Sequence, residues 1–152
     1  MTISPKNITT PFKTPTKTGF FPSYSLERIA ASSETFAWIS SYQGTNSSTM
    51  QVKRDVSGDL KGRHVVILED IFDTGNSLDF TYKHLLSKEP ASLKIVTLLD
   101  KPAGRNPKVT LEADYVGFTI PHAFVVGYGL DYNEYYRNLP YVGILKPEVY
   151  TK

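Results

Sequence analysis

An α/β fold with a mainly parallel central sheet flanked by helices is predicted by three features of the chain. "HVVIL" (residues 64–68) and "LKIVTLLDK" (93–101) are continuous apolar runs rich in β-branched residues, as strands buried on both faces require. Between them, Leu78, Tyr82, Leu85 and Leu86 recur at helical spacing, and Pro90 ends the stripe. Strand, loop, helix and strand in that order make a βαβ unit, whose two strands run parallel.

The elements around this unit are shorter. Residues 1–24 read as a disordered tail, because no acid precedes Glu27 and Pro5, Pro11, Pro15 and Pro22 interrupt helix and strand patterns alike. A transit peptide shares the basic, hydroxylated, acid-poor composition, but such peptides are Arg-rich and amphipathic. Residues 25–152 form the predicted folded domain. It opens on "SLERIAASS", a short helix with Ser25 as N-cap. Strand-like "TFAWISSY", a polar loop "QGTNSST", strand-like "MQVKRDV" and a turn "GDLKGR" then lead to residue 64. After the βαβ unit, "DYVGFTI", "AFVVGYG" and "YVGIL" follow at short spacing as further strands.

Composition narrows the function classes. A chain of 152 residues fits one domain and can bury about 68–70% of its unfolded surface. With 40% apolar and 21% charged residues it has the make-up of a soluble globule. A net charge of +2 from scattered basic residues gives no electrostatic case for nucleic acid. Without cysteine there is no disulfide, thiolate metal site or Cys nucleophile. His64, His84 and His122 share no metal-ligand spacing. No apolar run approaches the ~20 residues of a membrane span, so a cytoplasmic location without membrane partners is expected.

The chemistry concentrates in "VVILEDIFDTGNSL", residues 65–78. "IFDTGNS" matches the active-site strand of aspartic proteases, but those need an all-β fold and a second carboxylate from a second copy or a dimer partner. Here one copy stands before a helical stripe. In an α/β sheet, ligands bind beyond the carboxyl ends of strands. There the turn "DTGNS" enters a helix N-terminus, whose unpaired N–H groups and dipole suit a phosphate. Gly75 permits close backbone approach, and Thr74 and Ser77 add hydroxyl donors. The pattern G-x-x-x-x-G-K-[ST] is absent, so this is not a Walker loop. Glu69 and Asp70 beside a phosphate suit a sugar's hydroxyls; the bland alternative is that they end a strand while Asp73 caps the helix.

These residues resemble the phosphoribosyl-pyrophosphate (PRPP) loop of the type I phosphoribosyltransferases. "LLDKP", "YVGFTIP", "FVVGYGLDYNEYYRNLPYVGILKPEVY" and "SSYQG" narrow the resemblance to the hypoxanthine-guanine branch, over residues 36–150. It implies a Mg²⁺-dependent enzyme of purine salvage that converts a 6-oxopurine base and PRPP to IMP or GMP and pyrophosphate, working as a homodimer or homotetramer. Glu69 and Asp70 would hold the ribose hydroxyls. Asp73, Thr74, Gly75, Asn76 and Ser77 would hold the 5′-phosphate, with Asp73 as general base at purine N7. Lys101 would donate to the oxygen at purine C6, Phe124 would stack on the base and Val125 would present its backbone to the purine edge. Asp131, on the purine side, would bind magnesium, which Glu69 and Asp70 also approach, and Arg137 would contact pyrophosphate. Ser41 and Tyr42 would begin a mobile loop that closes over the reactants. On pattern alone, Lys101 is by default a surface lysine in a turn before Pro102, and "AFVVGYG" is equally a buried strand. Tyr132, Tyr135, Tyr136 and Tyr141 read as packing.

The N-terminal side departs from the family. Members ordinarily carry an earlier strand ending in a Leu-Lys-Gly loop that binds pyrophosphate, and that strand and loop are expected to be missing here. "TKTGFFPSYSLERIA" offers only Lys17 and Gly19 as a faint echo. The alternative to an active enzyme is a non-catalytic nucleotide- or PRPP-binding protein, or an inactive truncated member of the family.

Overall fold

Residues 8–12, 37–44 and 47–151 are described by the structure, a computed structural model. The chain divides into two compact units, Ala30–Pro121 and a second in which His122–Lys152 is joined by Met1–Ile29. "SLERIAASS", Lys17 and Gly19 lie outside the described residues.

In the unit Ala30–Pro121 the first described element is an antiparallel hairpin of β2 (Trp38–Gly44) and β3 (Ser47–Arg54). The expected polar loop is therefore mostly strand, and Ser41 and Tyr42 sit within β2, opposite Met50 and Thr49, rather than at a loop's start. A polar sequence can form such a ribbon because an antiparallel pair need not bury both faces. After the turn, where the Arg63 N–H donates to the Leu60 carbonyl (3.0 Å), the βαβ unit follows as expected. It consists of β4 (His64–Phe72), helix α1 (Asn76–Leu86) and β5 (Ser92–Asp100). β6 (Tyr115–Thr119) completes a parallel sheet in the order β4-β5-β6.

One core lies under α1: Leu60, Ile67, Phe72, Leu78, Leu85, Leu93 and Ile95 are buried together. Of the helical stripe, Leu78 and Leu85 are buried with Thr81, and Tyr82 packs at the margin. Leu86 is 51% exposed, against expectation. At 3.6 residues per turn it stands roughly 80° round the helix from Leu78, past the edge of the apolar stripe.

Two ion clusters hold elements together. Asp55, just past β3, lies 2.9 Å from His84 Nε2 and accepts from Lys88 Nζ at 2.7 Å, so the hairpin's base is tied to the end of α1. Lys88 first, then His84, hold its carboxyl down at about 2. Asp114, at the entry to β6, accepts from Lys94 Nζ (2.6 Å) and the Ile95 N–H (2.8 Å), and both keep its pKa below the usual carboxylate range.

In the other unit, β1 (Ile8–Phe12) pairs antiparallel with β8 (Val142–Leu145), which also pairs with the two-residue β7 (Val125–Val126). Part of the stretch 1–24 expected to be a tail is thus a strand at a sheet edge. Pro11 is compatible with that place, since an edge strand can lack one N–H, and the pairing shifts register between Ile8 and Pro11. Val126, Tyr136 and Leu145 form one buried cluster of this unit, and a final turn of helix, α2 (Pro147–Tyr150), supplies Val149 and Tyr150 at its margin. Among the described residues, no helix is long and apolar enough to cross a membrane.

The core under α1 sets a stability expectation. Ile95 is 1% exposed, so Ile95→Ala should cost about 2–5 kcal/mol. Urea unfolding followed by circular dichroism measures it; a loss under about 1 kcal/mol would mean that the sheet is not packed as described.

Candidate active site

The site begins with strand register. β4 continues past its apolar run, through Glu69 and Asp70, to Phe72, because the parallel ladder with β5 extends that far. Phe72 stands opposite Asp100 in that ladder, so Asp73 and Lys101 are the first residues beyond two neighbouring strands. Neighbouring strands lie about 4.8 Å apart, and the two side chains close that gap as an ion pair. Lys101 is buried, while 40% of the Asp73 side chain is exposed. A buried ammonium needs such a counter-charge. Asp73 is therefore not the helix cap of the bland alternative: the N-cap is Gly75, and no side chain caps α1.

Gly75 is required for two reasons. Its φ of 80° lies in the left-handed region, and a Cβ there would stand 2.7 Å from the Phe72 ring and 3.1 Å from Arg105 Cδ. Close packing beneath the loop thus adds to the closeness to a ligand expected from sequence. Thr74, Asn76 and Ser77 are exposed around this turn, and the uncapped helix start leaves an anion-attracting end.

Glu69 and Asp70 are consecutive strand residues, so their side chains leave opposite faces of β4. Asp70 is exposed and Glu69 half-buried. Burial, then the Asp70 charge, push the Glu69 carboxyl up to about 7. Two adjacent carboxyls of this kind suit sugar hydroxyls or a cation. No group of three or more His, Cys, Asp or Glu gathers to hold a metal among the described residues. Carboxylates of this kind fit magnesium shared with substrate oxygens, which is how Mg²⁺ is commonly held.

The segment after Lys101 was invisible to sequence reasoning. A 3₁₀ turn (Pro102–Gly104) sends the chain back beneath the loop. The Lys101 N–H donates to the Phe72 carbonyl (3.0 Å), which also accepts from Arg105 Nη2 (3.3 Å). The Arg105 guanidinium lies over the Phe72 ring and pairs with Asp100, and the Asn106 N–H donates to the Thr74 carbonyl (3.0 Å). "KPAGRN" signals only a turn, through Pro102 and Gly104.

The remaining candidates belong to the other unit. Phe124 is 37% exposed and packs edge-on to Tyr132 (5.6 Å between centroids) and tilted against Tyr150 (5.2 Å), while Val125 is buried. Asp131 Oδ1 pairs with Arg137 Nη2 at 2.9 Å and Oδ2 accepts the Glu134 N–H at 2.7 Å; Arg137 Nη1 also donates to the Gly129 carbonyl. Their loop is dense in left-handed backbone, at Gly127, Tyr128, Gly129, Asn133, Glu134 and Tyr136. At Gly127 a Cβ would stand 2.1 Å from the Tyr141 carbonyl oxygen. Such conformations persist where the surroundings over-determine them, often at functional sites.

A family model for the phosphoribosyl transferase domain matches residues 14–133. The hypoxanthine-guanine phosphoribosyltransferase of Streptococcus pneumoniae is 56% identical over 118 residues, 76% of this chain and 64% of that protein. That of Lactococcus lactis is 57% identical over 119 residues, 77% of this chain and 63% of that protein. The matched segment thus spans under two thirds of the length of these relatives. A hypoxanthine phosphoribosyltransferase structure from Staphylococcus aureus superposes with a TM-score of 0.79 at 48% identity, covering 88% of this chain and 73% of that one. One from Trypanosoma cruzi, in complex with the product IMP, gives 0.69 at 47%, covering 76% of this chain and 61% of that one. The chain belongs to the phosphoribosyl transferase family, with the type I fold that the sequence led us to expect. Within that family its relatives are those of the hypoxanthine-guanine branch.

Two outcomes follow from this geometry. With its pKa raised from 4.5 to about 7, Glu69 holds an extra proton in the folded state between those values. Its ionisation therefore penalises folding: the penalty is full above pH 7, shrinks as pH falls from 7 towards 4.5, and is gone below 4.5. Glu69→Gln should stabilise the protein at pH 8 by about 1–3 kcal/mol and very little at about pH 4; equal effects in urea titrations at both pH values would refute the burial effect. Gly75→Ala should cost about 1–3 kcal/mol in the same titrations, and a neutral result would mean that the turn relaxes freely.

Proposed function

We propose that the chain acts as a cytoplasmic hypoxanthine(-guanine) phosphoribosyltransferase of purine salvage, forming IMP or GMP and pyrophosphate from PRPP and the base. The observation that carries this reading is the Asp73–Lys101 pair beside the uncapped start of α1. It sets an acceptor next to a donor. A 6-oxopurine with its proton on N7 presents the complementary edge, O6 as acceptor beside N7–H as donor. Adenine offers an amino donor where Lys101 also donates, a mismatch that leaves buried polar groups unpaired.

In the reaction a bond forms between purine N9 and ribose C1′ while the C1′–O bond to pyrophosphate breaks. Asp73 takes the N7 proton as N9 attacks, so positive charge does not build on the purine. Lys101 meanwhile holds O6. The turn of Asp73, Thr74, Gly75, Asn76 and Ser77 holds the 5′-phosphate, and Glu69 and Asp70 take the ribose hydroxyls. For Phe124 and Val125 (base), Asp131 (metal) and Arg137 (pyrophosphate), the roles remain those implied by family resemblance. Magnesium, which the resemblance assigns to Asp131, would when bound neutralise charge on the departing pyrophosphate.

Incubating purified protein with PRPP, Mg²⁺ and each purine base tests the reading. IMP or GMP should form and AMP should not. Asp73→Asn should lower turnover by about 10²–10⁴-fold while IMP binding persists. Faster use of adenine than of hypoxanthine would sink the Lys101 assignment. IMP binding without turnover would favour a non-catalytic nucleotide-binding protein.

A further inference from the structure

The family resemblance as drawn above gives no role to residues 102–109, yet this stretch is tied to the phosphate turn at several points. Asn106 makes the densest set of links. Its N–H donates to the Thr74 carbonyl (3.0 Å), its Nδ2 to Asn76 Oδ1 (2.7 Å), and its Oδ1 accepts the Lys108 N–H (3.0 Å). Its own carbonyl accepts the Val109 N–H (2.9 Å), which closes the segment into a turn. In a trans peptide the C=O and the following N–H point in opposite directions. Holding the Thr74 carbonyl towards Asn106 therefore turns the Gly75 N–H to the opposite side. The Phe72 carbonyl, held by Lys101 and Arg105, does the same for the Asp73 N–H. The Asn76 side chain, at the first residue of α1, is meanwhile drawn down to Asn106 rather than across the helix start.

We propose that Asn106 is a positioning residue for the phosphate turn: acting through Asn76 and Thr74, it fixes the N–H groups of residues 75–77 in the orientation that receives a phosphate. This deepens the function proposed above and rests on it. The same stretch directly follows Lys101, so one short segment positions the phosphate turn and carries the residue assigned to the base. Asn106 itself need not touch substrate.

The experiment separates the phosphate's contribution from the rest of the ligand. IMP and inosine are titrated calorimetrically into the parent chain, Asn106→Ala, Asn76→Ala and the double variant. Asn106→Ala should weaken IMP about tenfold, the size of one lost hydrogen bond, and leave inosine unchanged. The double variant should bind IMP no worse than the weaker single variant, because the two residues act as one unit. Equal weakening of IMP and inosine, unchanged IMP affinity, or additive losses would each overturn the inference. If the parent binds IMP no better than inosine, the purine-nucleotide reading fails separately. Inorganic phosphate then decides the inference: it should shift the Gly75 and Asn76 amide resonances strongly in the parent and weakly in Asn106→Ala, and equal shifts in both would overturn it.

Discussion

The in-register parallel pairing of β4 with β5 is the constraint on which the site depends. Because Phe72 faces Asp100, the chain leaves the sheet at Asp73 and Lys101 side by side, although 28 residues separate them in sequence. Shifting the register by one residue would part them and turn every side chain of the strand to the other face. The helix between the strands serves the same geometry. Leu78 and Leu85 bury it against the sheet, and its first turn is thereby held beside the ion pair. Packing, charge pairing and the exposed helix start are consequences of one ladder.

Several features around that ladder are costly. Lys101 is buried and relies on Asp73, Glu69 is held half-buried beside another acid, and Gly75 occupies a conformation and a space closed to other residues. The loop around Asp131 gathers left-handed residues that are not glycine. Costs of this kind gather at sites built for binding rather than stability. The apolar cores carry no such burdens.

Support for the phosphate turn comes from behind it. The segment 101–109 occupies the carbonyls of Phe72 and Thr74 and fills the space against Gly75 with Arg105 and Val109. A turn whose carbonyls are already engaged has fewer ways to rotate its N–H groups away from an anion. Preorganisation of this kind lowers the ordering cost that binding would otherwise meet.

Much was legible in the sequence. The β-branched runs and the leucine stripe specified the βαβ unit, since burial on two faces and helical periodicity leave direct traces in residue order. The acids and "DTGNS" marked the end of a strand and the turn into a helix N-terminus, and the structure has that turn between β4 and α1. Tertiary structure decided what depended on residues distant in the chain. It carried β4 through its acids to Phe72, turned Leu86 outward, brought Ser41 and Tyr42 into a hairpin and made Ile8–Phe12 a strand against β8. It also paired Asp73 with Lys101 and folded Asn106 beneath Thr74. A sequence pattern reports what each residue prefers locally, whereas pairing partners, register and the space beneath a turn exist only once the chain has closed on itself.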